Sequence, residues 1–160
     1  MILQPTQAAY FCFMESLPAA GDLAPRRLSI EDQQLQRAPI ISIVDDDESM
    51  RCALKSLVAS LGLKAYTFAS AEQFLQSPRL DDTACLITDL QMPGLDGIEL
   101  QQTLLAQGRD IPIIFVTAFP EEWMRARAIE AGALGFLGKP FDSSTLVGLI
   151  EKAVGSERKA

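Results

Sequence analysis

Between residues 39 and 154, short apolar runs alternate with stretches in which apolar side chains recur every three or four positions. The runs 40–44, 63–68, 84–88, 111–116 and 134–137 are branched or aromatic and mostly lack polar alternation, as strands buried on both faces do. The intervening segments 48–61, 71–76, 98–107, 121–131 and 143–154 carry the helical period. Local punctuation agrees with this division. Asp47 and Asp142 stand where N-caps belong, Ser70 with Gln73 forms a capping-box pattern, and Gly62, Gly108 and Gly132 fall where helix C-termini want a left-handed residue. Five such β-α repeats predict an α/β domain over residues 39–154 with right-handed crossovers. Its architecture is a flavodoxin-like, doubly wound, five-stranded parallel sheet with helices on both faces. In a sheet of this kind ligands bind beyond the carboxyl ends of the strands, at the point where strand order reverses.

The chain of 160 residues is long enough for one such core plus an appendage. Residues 1–38 hold Pro5, Pro18 and Pro25, much Gln and Ala, and no sustained apolar period, which predicts a mostly disordered N-terminal extension. One short helix is available at 29–37, where Ser29 and Asp32 have capping spacing. Residues 155–160 form a short C-terminal tail. The apolar stretch 8–17 is interrupted by Glu15, lacks basic residues ahead of it and is too short to span a bilayer, so no membrane association is expected.

Charge and composition narrow the function further. A formal charge of −7 and an isoelectric point near 4.6 give no general attraction to a phosphate backbone, so direct nucleic-acid binding is not expected. Cys12, Cys52 and Cys85 are odd in number and widely spaced, which argues for a reducing cytoplasm and against a disulfide framework or zinc site. Histidine is absent, so this chain is neither a histidine phosphodonor nor a Ser-His-Asp hydrolase.

What remains is chemistry at the strand ends. Asp45, Asp46 and Asp47 follow the first run, Asp89 the third, Thr117 the fourth and Lys139 the fifth. Carboxylates crowded at the rim of an apolar sheet repel one another and lose solvation, a cost that a divalent cation removes. Oxygen-only ligands favour Mg²⁺ over zinc. Direct contacts are expected from Asp46 and Asp89, with Asp45 acting through water and Asp47 serving as helix cap.

Residues 41–47 (Ile-Ser-Ile-Val-Asp-Asp-Asp), 86–97 (Leu-Ile-Thr-Asp-Leu-Gln-Met-Pro-Gly-Leu-Asp-Gly), 116–118 (Val-Thr-Ala) and Lys139-Pro140-Phe141 resemble the signature segments of response-regulator receiver domains of two-component (phosphorelay) signalling. The order and spacing match across 39–154. The resemblance implies that Asp89 is the phosphoacceptor, that Asp45 and Asp46 form the acidic pocket and that the backbone carbonyl of Gln91 completes the Mg²⁺ shell. It further implies that Thr117 is the switch hydroxyl, that Lys139, ahead of a cis bond to Pro140, contacts the phosphoryl group, and that Phe136 is the rotating aromatic. Gln91 and Phe119 take the variable positions beside the phosphoryl site.

The expected function is therefore regulatory rather than enzymatic. A histidine kinase or phosphotransfer protein phosphorylates Asp89 with Mg²⁺, the domain assisting its own phosphorylation and dephosphorylation. The modified form then binds a downstream protein, or itself, through the fourth helix, fifth strand and fifth helix of the repeat, including Trp123, Met124 and Leu149. With only six residues after Val154, a stand-alone receiver is expected, and Met14 offers an alternative start. A degenerate receiver acting as a phosphorylation-independent binding module is the rival reading. A flavodoxin-like nucleotide or flavin enzyme is a poorer fit, because three aspartates occupy the loop where such proteins carry a phosphate-binding turn.

Overall fold

The computed structural model describes residues 27–157, so most of the N-terminal extension and the last three residues lie outside the described residues. The available short helix forms as α1 (Ile30–Gln36), a little shorter than expected. The Ser29 hydroxyl accepts from the Asp32 amide at 3.1 Å while the Asp32 carboxylate accepts from the Ser29 amide at 3.3 Å, a reciprocal cap.

The domain that follows runs β1 (Ile40–Val44), α2 (Glu48–Ser60), β2 (Lys64–Phe68), α3 (Ala71–Leu75), β3 (Thr83–Asp89), α4 (Gly97–Ala106), β4 (Ile113–Thr117), α5 (Glu122–Glu130), β5 (Gly135–Gly138) and α6 (Ser143–Glu157). All five expected strands and all five expected helices are present. The strands form one parallel sheet in the order β2-β1-β3-β4-β5. Strand order reverses at β1, which pairs with β2 on one side and β3 on the other, and this sets the switch point between β1 and β3.

The buried apolar residues of the strands divide between two layers, one on each face of the sheet. Ile41, Ile43, Cys85, Ile87, Ile114 and Val116 pack with Leu54 and Val58 of α2 and Leu146 and Ile150 of α6. On the other face Val44, Leu86 and Phe115 pack with Phe74 of α3, Leu100 and Leu104 of α4 and Ala128 of α5. Phe74 and Phe115 are fully buried, and each such ring contributes about 1.5–3 kcal/mol of transfer free energy. Burial on both faces holds for β3 and β4 throughout and for β1 beyond its first residue. The edge strand β2 is half-buried along its length, and β5 is half-buried beyond Gly135, because each has a neighbour on one side only.

Register delivers the site. Val44 lies opposite both Phe68 and Thr88, so Asp45 and Asp89 emerge side by side at the carboxyl ends of adjacent strands. Thr117 lies opposite Gly138, and the Lys139 amide donates to the Thr117 carbonyl at 2.7 Å, which brings Lys139 to the same end of the sheet.

Candidate functional site

Asp45 and Asp89 are both buried, whereas Asp46 is exposed at the rim. One carboxylate oxygen from each of the three lies within 4.8 Å of the others. The Lys139 ammonium bridges the buried pair, at 3.1 Å from Asp45 Oδ2 and 3.2 Å from Asp89 Oδ2. The peptide bond from Lys139 to Pro140 is cis, as the sequence resemblance implies. The second oxygen of each buried carboxylate is held by backbone. The Asp47 amide donates to Asp45 Oδ1 at 2.9 Å, and the Gln91 amide to Asp89 Oδ1 at 3.1 Å. Asp47 in turn caps α2 by accepting from the Ser49 amide.

These surroundings set the ionisation of the group. Burial pushes the Asp45 carboxyl above its ordinary value, and the Asp47 amide and Lys139 offset only part of that. For Lys139 burial works against the ammonium. The hydrogen bond and charge of Asp45, with the charge and hydrogen bond of Asp89, outweigh it and hold the lysine above its ordinary value. Three carboxylates still face a single ammonium, so negative charge is left over. An oxygen-only donor set with uncompensated charge fits a hard divalent cation such as Mg²⁺.

Thr117 is fully buried beside this group, its hydroxyl oxygen accepting from the Phe119 amide at 3.3 Å. Gln91 is exposed at the mouth, and Phe119 is 66% exposed there. Phe136 is half-buried, its ring packed at a tilt 6.4 Å from that of Phe115. Of the residues expected on the responsive face, Trp123 is 56% exposed. Met124 and Leu149 instead pack against the two apolar layers, one on each side of the sheet.

Further residues shape the site, and two of them, Arg51 and Glu72, carry no advance signal in the sequence. Arg51 of α2 donates through Nη1 to the Asp45 carbonyl at 2.7 Å. Glu72 of α3 accepts from the Leu95 amide at 2.9 Å, a bond that pulls its carboxyl below the ordinary value and fastens the loop after Asp89. Gly97 is required where it stands, since a Cβ there would lie 2.5 Å from the Asp89 carbonyl oxygen. The reciprocal capping box of Asp96 and Glu99 at the start of α4 was legible in principle, as an Asp followed three residues later by Glu.

Comparison with known proteins agrees with this geometry. The family model for the response regulator receiver domain matches residues 41–151, and the chain belongs to that family. Nodulation protein W of Bradyrhizobium diazoefficiens is 41% identical over 120 residues, covering 75% of this chain and 53% of that protein. The response regulator protein TodT of Pseudomonas putida is 42% identical over 118 residues, covering 74% and 52%. The chain thus spans about half the length of the curated relatives it matches. Among solved structures, a response regulator receiver protein from Pseudoalteromonas atlantica superposes with a TM-score of 0.70 at 31% identity, covering 74% of this chain and 99% of that one. Receiver domains are regulatory modules of two-component systems, and the family generally binds Mg²⁺ at an acidic cluster such as this one. No helix among the described residues is long and apolar enough to cross a membrane.

Proposed function

We propose that this chain is a cytoplasmic phosphoacceptor that receives a phosphoryl group on Asp89 from a histidine kinase or phosphotransfer protein and then alters a protein-binding surface. The observation that carries the reading is the shared Lys139 ammonium between two buried carboxylates, with a third carboxylate within 4.8 Å.

Phosphoryl transfer asks for an in-line nucleophile and neutralisation of the equatorial oxygens. The nucleophile is an Asp89 carboxylate oxygen. It forms a bond to phosphorus as the phosphorus–nitrogen bond of the donor's phosphohistidine breaks, and the departing imidazole keeps the electron pair and takes up a proton. The donor is another protein, since this chain has no histidine. Lys139, already within hydrogen-bond distance of Asp89, meets the phosphoryl oxygens. Asp46 and Asp89 would hold Mg²⁺ directly and Asp45 through water, with the Gln91 carbonyl completing the set. When bound, the cation supplies charge neutralisation at the phosphoryl oxygens. Thr117, whose hydroxyl oxygen accepts from the Phe119 amide, donates a new hydrogen bond to the phosphoryl group. The responding surface is α5, β5 and α6, with Trp123 as its exposed aromatic and a downstream protein or a second copy as the partner.

Intact-mass measurement after incubation with acetyl phosphate and Mg²⁺ tests the proposal. One phosphoryl adduct is expected on the native chain, none with Asp89→Asn and none in EDTA. A native chain that gains no phosphoryl mass with this donor or with a phosphorylated histidine kinase would instead be a phosphorylation-independent binding module.

A further inference from the structure

Asp45 has every polar atom engaged. Its amide donates to the Phe68 carbonyl at 3.2 Å, its two carboxylate oxygens accept from Asp47 and Lys139, and its carbonyl accepts from Arg51 Nη1 at 2.7 Å. Asp89 is held almost as fully, by the Gln91 amide and Lys139. Asp46 differs from both. It is exposed, and among the described residues its side chain has no hydrogen bond or ion pair, although its carboxylate lies within the acidic group. Only its backbone directs that carboxylate toward Asp89. The peptide unit that leads into Asp46 is the one whose carbonyl Arg51 holds.

We propose that Arg51 is a positioning residue for the cation site, fixing the peptide between Asp45 and Asp46 and so aiming the Asp46 carboxylate. This rests on the reading above that Asp46 is a Mg²⁺ ligand. An arginine suits the task because its guanidinium is rigid, permanently charged and able to reach back from the first turn of α2 to the end of β1. It also brings no oxygen that would compete for the cation. A rival physical effect has the opposite sign, since a guanidinium near the site repels Mg²⁺, and losing it would tighten binding. That repulsion is weakened by solvent at the rim, whereas loosening a group that orients a ligand typically costs about 10–100-fold in metal affinity. Geometry therefore wins, and Arg51 acts to strengthen binding.

Calorimetric titration of Mg²⁺ into the full chain without any phosphodonor separates the two. Arg51→Met is expected to weaken binding by about tenfold, the low end of that range, and Arg51→Lys, which retains one donor and the charge, to recover most of it. The unfolding midpoint in EDTA should differ little between the two variants. A second measurement stands if Arg51→Met proves too unstable to titrate: the Asp46 amide resonance of Mg²⁺-free Arg51→Gln should move from its native position and return toward it in Arg51→Lys. Unchanged or tighter Mg²⁺ binding in Arg51→Met, or an unmoved Asp46 amide in Arg51→Gln, would overturn the proposal. A native chain that binds no Mg²⁺ would overturn the function reading beneath it instead.

Discussion

Lys139 faces two buried carboxylates at once, and its charge does not satisfy all three aspartates of the pocket. The site is consequently a stability cost held for function. Asp46→Asn removes one member of the repelling set without emptying the core, so it should stabilise the cation-free protein by about 1 kcal/mol in urea unfolding while abolishing the stabilisation by Mg²⁺. A variant both less stable and still responsive to Mg²⁺ would contradict that account. Acidity offers an independent check. Burial raises the Asp45 carboxyl in the folded chain, so the folded state takes up this proton at a higher pH than the unfolded state does. Ionised Asp45 therefore lowers stability above its folded value, and this loss is recovered as pH falls through the window down to the ordinary value of 3.8. Cation binding needs the ionised form. The difference in unfolding midpoint with and without Mg²⁺ should therefore shrink on acidification, starting above the pH at which an ordinary aspartate titrates. Among these residues, the aspartates, Thr117 and Lys139 were legible because each stands within two residues of the end of an apolar run. Arg51 was not, because nothing local distinguishes it from any other charged residue in the first turns of a helix.

At the scale of elements, the start of α4 constrains the loop after Asp89. The Gly97 amide donates to the Leu90 carbonyl at 2.9 Å, and the residue has no room for a side chain against the Asp89 carbonyl and Phe115. Gly97→Ala must displace the backbone of Asp89 itself. It should cost about 1–3 kcal/mol in urea unfolding and also slow adduct formation with acetyl phosphate. Asp96→Ala removes the neighbouring cap and should cost about 0.5–2 kcal/mol, with a smaller effect on adduct formation because, among the described residues, Asp96 bonds within its own helix. Caps of this kind depend on residues within one turn, which is why Asp47, Ser70 and the left-handed Gly62, Gly108 and Gly132 were readable in advance. Ser70 with Gln73 is a partial exception, since the Gln73 side chain accepts from the Ala69 amide rather than that of Ser70. Strand ends moved more. β3 runs on through Asp89 and β5 ends one residue later than its apolar run, because a ladder stops where the neighbouring strand stops offering hydrogen bonds.

For the whole molecule, the question is whether chemistry at the strand ends can move a distant surface. Swinging an equilibrium from 1:99 to 99:1 takes about 5.5 kcal/mol, and hydrogen bonds from Thr117 and Lys139 to a charged phosphoryl group contribute about 1.5–3 kcal/mol each. Phe136 is already half-buried, so completing its burial adds only part of the 1.5–3 kcal/mol that a fully exposed ring would bring, roughly closing the gap. Trp123 is the only tryptophan in the chain and stands half-exposed on α5, which makes its emission a reporter of that surface. Phosphorylation should shift the emission of the native chain. Thr117→Ala should still gain the phosphoryl mass but lose most of the shift, and an equal shift in both would detach the hydroxyl from the switch. The sequence alone determined the five β-α repeats, the helix caps and the kinds of residue at the strand ends, because periodicity and turn chemistry act over a few residues. Only the tertiary structure decided that Lys139 meets carboxylates 94 and 50 residues away, that Arg51 and Glu72 brace the two acidic loops, and that Trp123 faces solvent while Met124 and Leu149 pack inward. Those contacts depend on the register between distant strands and on which helix covers which face, quantities that no short stretch of chain encodes.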